Sequence, residues 1–348
     1  MTDRSDPGPE PVRTPPPTAA ALPGPPPSTM IASAGAGTRA AYALVARCNS
    51  AAVQACELRL FRREIGPGAA AWTAQPLRFE IRSTTGAIPS VLVGADDRPM
   101  ILDLAQQYAY TSVGGTFVRR RLAVGPEIDR VPPGSVLIEG RCADCQERLV
   151  VVDAVAGLLR PLRTQPPVGT GGLRTYDRSG DRIWVVSGGG EPATGAVSPD
   201  GGRSWRRFAV PRTAADGLEI VATPDGGAYL VGTRFDELGN SRLAGMWRAP
   251  AAGTPWRQLR VTPMPTSVRA VLAGTRGLLV VDARGSGWRL GPDGGFDRLP
   301  DSRPARPDLV FADAGPLLVA MPRNGQPERS VLTSVDQGES WQPERIPD

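Results

Sequence analysis

Four cysteines are the residues of this 348-residue chain whose spacing most directly suggests chemistry. Seven residues separate Cys48 from Cys56, and two separate Cys142 from Cys145. Each pair can form a disulfide. The two-residue spacer between Cys142 and Cys145 also suits a redox-active thiol pair, and all four thiolates together could bind one zinc ion. These three hypotheses, and a fourth in which the thiols are unpaired, stay open until the strands that carry the cysteines are placed.

Histidine and lysine are both absent, so all 40 basic residues are arginine. Without histidine the commonest general base and metal ligand is missing, and Ser-His-Asp and Cys-His mechanisms are excluded. The glycine run Gly188-Gly189-Gly190 is not followed by the Gly-Lys-Ser of a phosphate-binding loop. We therefore expect no catalytic residue, no cofactor and no metal.

The net charge of +5 comes from scattered arginines, and aromatic residues make up only 5% of the chain. A nucleic-acid groove needs clustered cations with interleaved aromatic side chains, so we expect no nucleic-acid partner. No run of 18 apolar residues occurs, which predicts no membrane-spanning segment. We expect a monomer.

Residues 1–30 are dominated by proline and small residues, a composition that predicts a disordered tether. Met1-Thr2-Asp3-Arg4 leads directly into these prolines, and no signal peptide opens the chain. Either the protein is cytoplasmic or its true start lies upstream of Met1.

From residue 31 to residue 348 the chain repeats. A large apolar residue opens the last strand of each predicted unit, and successive marks lie 40 to 51 residues apart. Short apolar runs alternate with Gly-, Asp- and Pro-rich turns, and such a period is typical of four-stranded propeller blades. We predict an all-β fold of seven four-stranded antiparallel blades, with the first strand of the third blade near 126–130. The seven marks are Trp72, Phe117, Leu159, Trp205, Trp256, Phe296 and Trp341.

Two of these marks end the same eight-residue motif, Ser-x-Asp-x-Gly-x-Ser-Trp. In each copy the aspartate can accept backbone N–H bonds, the glycine can supply a backbone conformation closed to other residues, and the tryptophan can pack in the blade. The motif resembles the Asp-box, or BNR repeat, of the sialidase-like β-propeller superfamily. The resemblance covers about residues 31–348 and implies a structural role for eight residues: Ser198, Asp200, Gly202, Trp205, Ser334, Asp336, Gly338 and Trp341.

The same resemblance raises the possibility of a glycoside hydrolase. Sialidases use an arginine triad, a tyrosine nucleophile with a glutamate partner, and a Phe/Tyr-Arg-Ile-Pro motif near the N-terminus. That motif is absent, and Phe61-Arg62-Arg63-Glu64 is the nearest string. Since no triad can be assembled from position, we expect a non-catalytic binding or scaffold module and keep a sialidase-type exo-glycosidase as the alternative.

The repeat gives both cysteine pairs one position, with one cysteine ending a second strand and its mate beginning the third. Paired strand ends bring Cβ atoms near disulfide distance, so we predict Cys48–Cys56 and Cys142–Cys145 disulfides. Zinc would require two loops to converge across an intervening blade. Disulfides indicate an oxidising compartment, which favours a location outside the cytoplasm.

The loops between second and third strands lie at the end of the blades opposite the two motifs. Among them, Phe235, Asp236 and Glu237 form the most binding-like loop, because an aromatic side chain beside acids can anchor a partner or a sugar. The alternative to a binding role is that the Phe235 side chain is buried under its own loop and only stabilises that loop. We expect the ligand, an unknown protein or glycan, to bind at this end.

Overall fold

The computed structural model describes twenty stretches of the chain, and all structural statements below concern these residues. They are 28–37, 39–48, 54–65, 71–83, 89–94, 97–140, 148–168, 173–187, 193–212, 215–237, 241–260, 265, 267–268, 270–274, 276–282, 286–291, 294–299, 309–314, 317–322 and 330–347.

The described residues form seven four-stranded sheets and no helix, which confirms the predicted all-β class. The first sheet contains β1 (Ser28–Ala36), β2 (Ala40–Cys48), β3 (Gln54–Glu64) and β4 (Thr73–Ser83). The second contains β5 (Ser90–Val93), β6 (Pro99–Asp103), β7 (Tyr108–Val113) and β8 (Thr116–Arg121). The third contains β9 (Ala123–Val124), β10 (Val136–Gly140), β11 (Arg148–Asp153) and β12 (Leu158–Pro161).

The remaining four sheets each use four consecutive strands. The fourth contains β13 (Leu173–Ser179), β14 (Arg182–Ser187), β15 (Thr194–Ser198) and β16 (Arg206–Ala209). The fifth contains β17 (Gly217–Ala222), β18 (Ala228–Phe235), β19 (Ser241–Ala249) and β20 (Arg257–Gln258). The sixth contains β21 (Ala270–Gly274), β22 (Gly277–Val281), β23 (Gly287–Leu290) and β24 (Phe296–Arg298). The seventh contains β25 (Leu309–Ala314), β26 (Leu317–Pro322), β27 (Ser330–Ser334) and β28 (Gln342–Arg345).

Each sheet other than the third runs in chain order and is antiparallel throughout. Connections between first and second strands, and between third and fourth strands, therefore lie at one end of these sheets, which we call the turn end. In the fourth sheet the Gly201 amide donates to the Asp181 carbonyl at 2.7 Å, joining the two connections of that end. We call the opposite end, with the second-to-third connections, the loop end.

The two Ser-x-Asp motifs fold into the same turn. In the first copy the Ser198 hydroxyl accepts the Gly202 amide at 2.7 Å, and Asp200 accepts the Ser204 amide at 2.9 Å. Ser334 and Asp336 make the same two bonds to Gly338 and Ser340, also at 2.7 and 2.9 Å. Gly202 has a φ of 97°, a conformation that a side chain would strain, and an added Cβ would also meet Leu162 at 2.7 Å.

Side-chain oxygens of one sheet accept hydrogen bonds from backbone amides at the edge of the next sheet's first strand. The Val91 amide of β5 donates to the Ser33 hydroxyl of β1 at 2.9 Å. The Ala222 amide of β17 donates to Asp177 of β13 at 2.7 Å, and the Ile220 amide donates to Thr175. Because free strand edges carry unpaired polar groups, these contacts both order the sheets and remove exposed donors.

The third sheet differs from the prediction. Residues 126–130 do not form its first strand; instead β9 pairs in parallel with β12 on the outer side, and Ile128 bridges Leu162. Pro126, Pro132 and Pro133 limit this stretch as an inner strand, because proline has no N–H to donate. The innermost described strand of this sheet is β10.

The direction of β10 explains its position. Arg178, near the end of β13, binds the Ser135 carbonyl before β10, whereas Tyr176 earlier in β13 binds Leu137 within β10. The two strands therefore run in opposite directions, although β13 and β17 run in the same direction. Thus β10, β11 and β12 have the sense of second, third and fourth strands, and no described strand lies inside β10.

The first and seventh sheets share one apolar cluster, in which Ile31, Phe61 and Trp72 pack with Val331 and Ile346. The Glu344 carboxylate accepts a 2.9 Å hydrogen bond from the Trp72 indole and forms a 2.6 Å ion pair with Arg63, which is nearly buried. Side chains join these two sheets, and the described strands of each are consecutive in the chain.

A candidate binding cavity beside the third sheet

Two adjoining cavities lie where β10 faces its neighbours. The inner cavity, about 660 Å³, is lined by 33–35 of β1, 90–94 of β5, 134–137 at the start of β10, and Tyr176, Asp177, Arg178 and Gly180. The outer cavity, about 570 Å³, extends between the second and third sheets past Arg98, Val155 and Arg160. Both are lined by Gly94 and by Gly134–Val136, so together they form a groove.

Tyr176 closes part of the inner edge of β10. Its hydroxyl donates to the Leu137 carbonyl at 3.3 Å, and the Glu139 amide also interacts with this oxygen. Burial raises the pKa of the Tyr176 hydroxyl, while the hydrogen bond from the Glu139 amide opposes this shift. The Tyr176 hydroxyl therefore bonds two backbone groups of β10 that would otherwise pair with an adjacent strand.

Arg178 fastens the third sheet to the fourth. Its guanidinium donates to three backbone carbonyls, those of Gly180 at 2.6 Å, Ser135 at 3.0 Å and Pro132 at 3.3 Å. Burial lowers the pKa of this arginine, and the nearby Asp181 charge opposes the shift. Because its donors are engaged by the backbone, Arg178 shapes the cavity wall.

The cavity wall formed by β13 carries an acidic side chain, Asp177. Asp177 accepts the Arg178 amide at 2.7 Å in addition to the Ala222 amide. On the neighbouring β17, desolvation and the Asp177 charge raise the pKa of Glu219. This wall therefore favours a cationic or hydrogen-bond-donating group on a ligand.

The predicted binding loop lies where the sequence placed it, between the second and third strands of the fifth sheet. Phe235 ends β18 and is 55% exposed, so it is not buried under its loop. Its amide donates to Asp216 at 2.9 Å, Asp236 forms a 3.3 Å ion pair with Arg242, and Glu237 is exposed. The two cavities are not at this end, because Gly94 and Gly180 follow β5 and β13 at the turn end.

The structure confirms the Cys48–Cys56 disulfide, which joins the end of β2 to the start of β3. Cys142 and Cys145 lie outside the described residues. The strands on either side of them, β10 and β11, are antiparallel neighbours, and Gly140 pairs with Arg148. The Cys142–Cys145 bond therefore stays a prediction.

Three of the five tyrosines have environments unlike that of a nucleophile, which needs a lowered pKa or an adjacent base. Burial raises the pKa of Tyr110, Tyr176 and Tyr229. The Tyr42 hydroxyl donates to the Asp97 carbonyl at 3.0 Å, and the Arg119 guanidinium lies 3.6 Å from the Tyr108 ring centroid. In the described part of the chain, no group of three or more acidic or cysteine side chains could hold a metal ion.

The sequence did not reveal the cavity or the roles of Tyr176 and Arg178. Both side chains act on backbone groups of residues about 40 positions earlier in the chain, and backbone partners leave no pattern of side-chain types. A signal was present in Pro132-Pro133, which argues against a regular inner strand just before β10.

No protein-family model matches the chain, and no curated protein matches it in sequence. Among solved structures, the chain is similar to the β-propeller domain of the Trilobed protease from Pyrococcus furiosus. The two are 9% identical, the match covers 92% of this chain and 96% of that one, and the TM-score is 0.52. At this identity the likeness shows the fold alone, which is that of a β-propeller.

Two further structures match with lower scores. PorZ, a bacterial surface component of the type-IX secretion system of Porphyromonas gingivalis, is 10% identical over 92% of this chain, with a TM-score of 0.49. This chain spans 38% of the length of PorZ. BamB from Moraxella catarrhalis is 14% identical over 87% of this chain and 82% of its own, with a TM-score of 0.45.

Among the described residues, no helix is long and apolar enough to cross a membrane.

Proposed function

We propose that this protein is a non-catalytic, seven-bladed Asp-box propeller that binds a protein or glycan. The observation that carries the proposal is the groove beside β10, whose inner cavity of about 660 Å³ lies within the size range of ligand sites. The seven four-stranded sheets support the blade number, and the matching hydrogen bonds of the two Ser-x-Asp turns support the Asp-box assignment. The exposed Phe235 supports a second contact region at the loop end.

The sialidase-type alternative lacks support at this groove. Arg178 is engaged by three carbonyls, and Tyr176 is bound to the backbone of β10 with a raised pKa. A substrate carboxylate would need free guanidinium groups, and a tyrosine nucleophile would need activation.

The experiment is a pair of measurements on the full chain. Hydrolysis of a fluorogenic sialoside would contradict the proposal, and we expect none above a buffer control. Binding to a random-peptide library or a glycan array is the positive expectation. Retention on neither, with the protein folded by circular dichroism, would also contradict it.

We further propose an extracytoplasmic location. The Cys48–Cys56 disulfide supports it, because such bonds persist in oxidising compartments. Alkylation of unreduced protein from the native host should leave Cys48 and Cys56 unlabelled, as read by mass spectrometry. Labelling of both would contradict this location.

A further inference from the structure

The inner edge of β10 is a strand edge without an adjacent strand among the described residues. In an antiparallel pair, the N–H and C=O of one residue point to the same edge, and alternate residues point to opposite edges. Because the Leu137 carbonyl and the Glu139 amide both contact Tyr176, Leu137 and Glu139 direct their backbone groups away from β11. Among the described strands, β10 is the terminal strand of its sheet, and its one hydrogen-bonded neighbour is β11.

We infer that an extended peptide segment of a partner protein pairs with this edge and becomes the inner strand of the third sheet. The inference rests on the proposed binding function and names its ligand class. Strand addition to an exposed edge is an established mode of peptide recognition, and here the edge opens into a preformed cavity.

The spacing of the edge groups favours a peptide over a glycan. Leu137 and Glu139 are two residues apart on one strand, which repeats donors and acceptors about every 6.8 Å, as a second strand does. Sugars are usually held against exposed aromatic faces, yet Tyr176 is the one aromatic residue among those lining the inner cavity, and its hydroxyl is engaged by backbone.

The cavity walls define the side chains of the peptide. A strand beside β10 would present alternate side chains to β5 and to β13. The β5 wall offers Val91 and Val93, which suit small apolar groups, and the β13 wall offers Asp177, which suits basic or hydroxyl groups. Proline is disfavoured wherever the peptide donates to β10.

A partner segment fits better than residues 1–27 of this chain, which contain ten prolines. A proline-rich segment lacks the regular N–H donors that strand pairing requires. Insertion also requires the Tyr176 hydroxyl to leave the Leu137 carbonyl, so Tyr176 competes with the ligand for the edge.

The probe is a random heptapeptide library displayed on phage and selected against the full chain. We expect enrichment of proline-poor peptides that alternate small apolar with basic or hydroxyl residues. An enriched peptide is then synthesised, together with a copy N-methylated at alternate residues, and its affinity is measured by fluorescence polarisation. The copy lacking the paired N–H groups should bind at least about tenfold more weakly; equal binding by copies methylated in both registers would overturn the inference.

Matched variants test the protein side. Leu137→Pro removes the edge N–H and should weaken binding at least about tenfold, whereas Leu137→Ala, which keeps it, should stay within about threefold. Tyr176→Phe removes the competitor and should tighten binding about threefold. Hydrogen exchange should show protection of the Leu137 amide on peptide addition in the parent protein, a readout that holds even if Leu137→Pro does not fold.

The outcomes separate this inference from the proposed function. Glycan binding without any enriched peptide would overturn the inference and leave the binding function standing. Sialoside hydrolysis, or retention of neither peptide nor glycan, would overturn both. If deleting residues 1–27 abolished existing protection of the Leu137 amide, the occupant would be this chain's own segment, and the partner inference would be wrong.

Discussion

The third and fourth sheets are neighbours with similar sequence patterns, yet they differ in what occupies the inner edge of the sheet. The fourth sheet has four consecutive antiparallel strands, and Trp184 in its second strand is 1% exposed. The third has its additional strand on the outer side, in parallel, and leaves β10 innermost. The repeat therefore sets the outer strands of each sheet, whereas side chains of a neighbouring sheet can occupy the inner position.

The largest expected effect tests whether the fourth sheet is the better packed of the two. Trp184 packs edge-on against Phe208 and Trp256, with ring centroids 5.7 Å away in both cases. Trp184→Ala should lower the free energy of unfolding by about 4 kcal/mol, since the cavity it leaves cannot collapse. Val136→Ala, at the half-exposed start of β10, should cost less than about 1 kcal/mol. Equal losses of stability in urea unfolding would show that the two sheets are equally well packed.

The next effect concerns the link between the two sheets. Arg178→Met keeps an apolar stem but leaves three carbonyls without their donor, so it should lower the free energy of unfolding by about 2 kcal/mol. Hydrogen exchange should show faster exchange in β10 than in β14. Arg178→Lys is the control for charge, and we expect it to recover only part of the loss, because one ammonium cannot reach the three carbonyls. Full recovery would mean that charge alone matters.

A smaller effect belongs to the Ser-x-Asp turn of the fourth sheet. Burial raises the pKa of Asp200, and hydrogen bonds from Ser204, Ser198 and Arg203 lower it. Together the hydrogen bonds outweigh burial, so the pKa of Asp200 lies below its ordinary value. A lowered pKa contributes stability that is present above the ordinary value and lost as pH falls through the folded one. Asp200→Ala should cost about 1.5 kcal/mol at pH 7, with a smaller difference below about pH 4.

The matched control for Asp200 lies beside the third sheet. Asp129 forms a 2.7 Å ion pair with Arg163, and both side chains are more than 60% exposed. Asp129→Ala should therefore change the free energy of unfolding by less than about 0.5 kcal/mol. A loss as large as that of Asp200→Ala would show that the turn hydrogen bonds are not the cause.

The smallest effect is a gain in stability. Because the pKa of Glu219 is raised, the folded state holds this proton more tightly, and stability falls as pH rises from the ordinary value through the folded one. Because Glu219 is exposed and its charge is screened by solvent, Glu219→Gln should raise the free energy of unfolding at pH 7 by at most about 0.5 kcal/mol, and the gain should vanish near pH 4. A loss at pH 7 would show that the Glu219 carboxylate has a favourable partner.

Much of the outer architecture could be predicted from the sequence. Six of the seven marks lie in the fourth strands of their sheets or directly before them, namely Trp72, Phe117, Trp205, Trp256, Phe296 and Trp341. The turn before Leu159 follows the same rule, with Gly157 in the left-handed region like Gly202.

The inner edge could not be predicted in the same way. The innermost strands are completed by side chains from a neighbouring sheet, such as Ser33 on Val91 or Tyr176 on Leu137. Those partners are far apart in the chain and are recognised through backbone atoms, which are the same for every residue. The sequence thus indicated the number of strands in the third sheet better than their order.

The packing of the first sheet on the seventh has a consequence for the order of folding. Strand pairs within each sheet are local, whereas Trp72 and Glu344 are 272 residues apart. Local contacts form early, since distant ones require closure of a long loop. On the ribosome, the packing of Ile31, Phe61 and Trp72 is complete only after Val331 and Ile346 have been synthesised. During synthesis the apolar face of the first sheet therefore stays uncovered until that point.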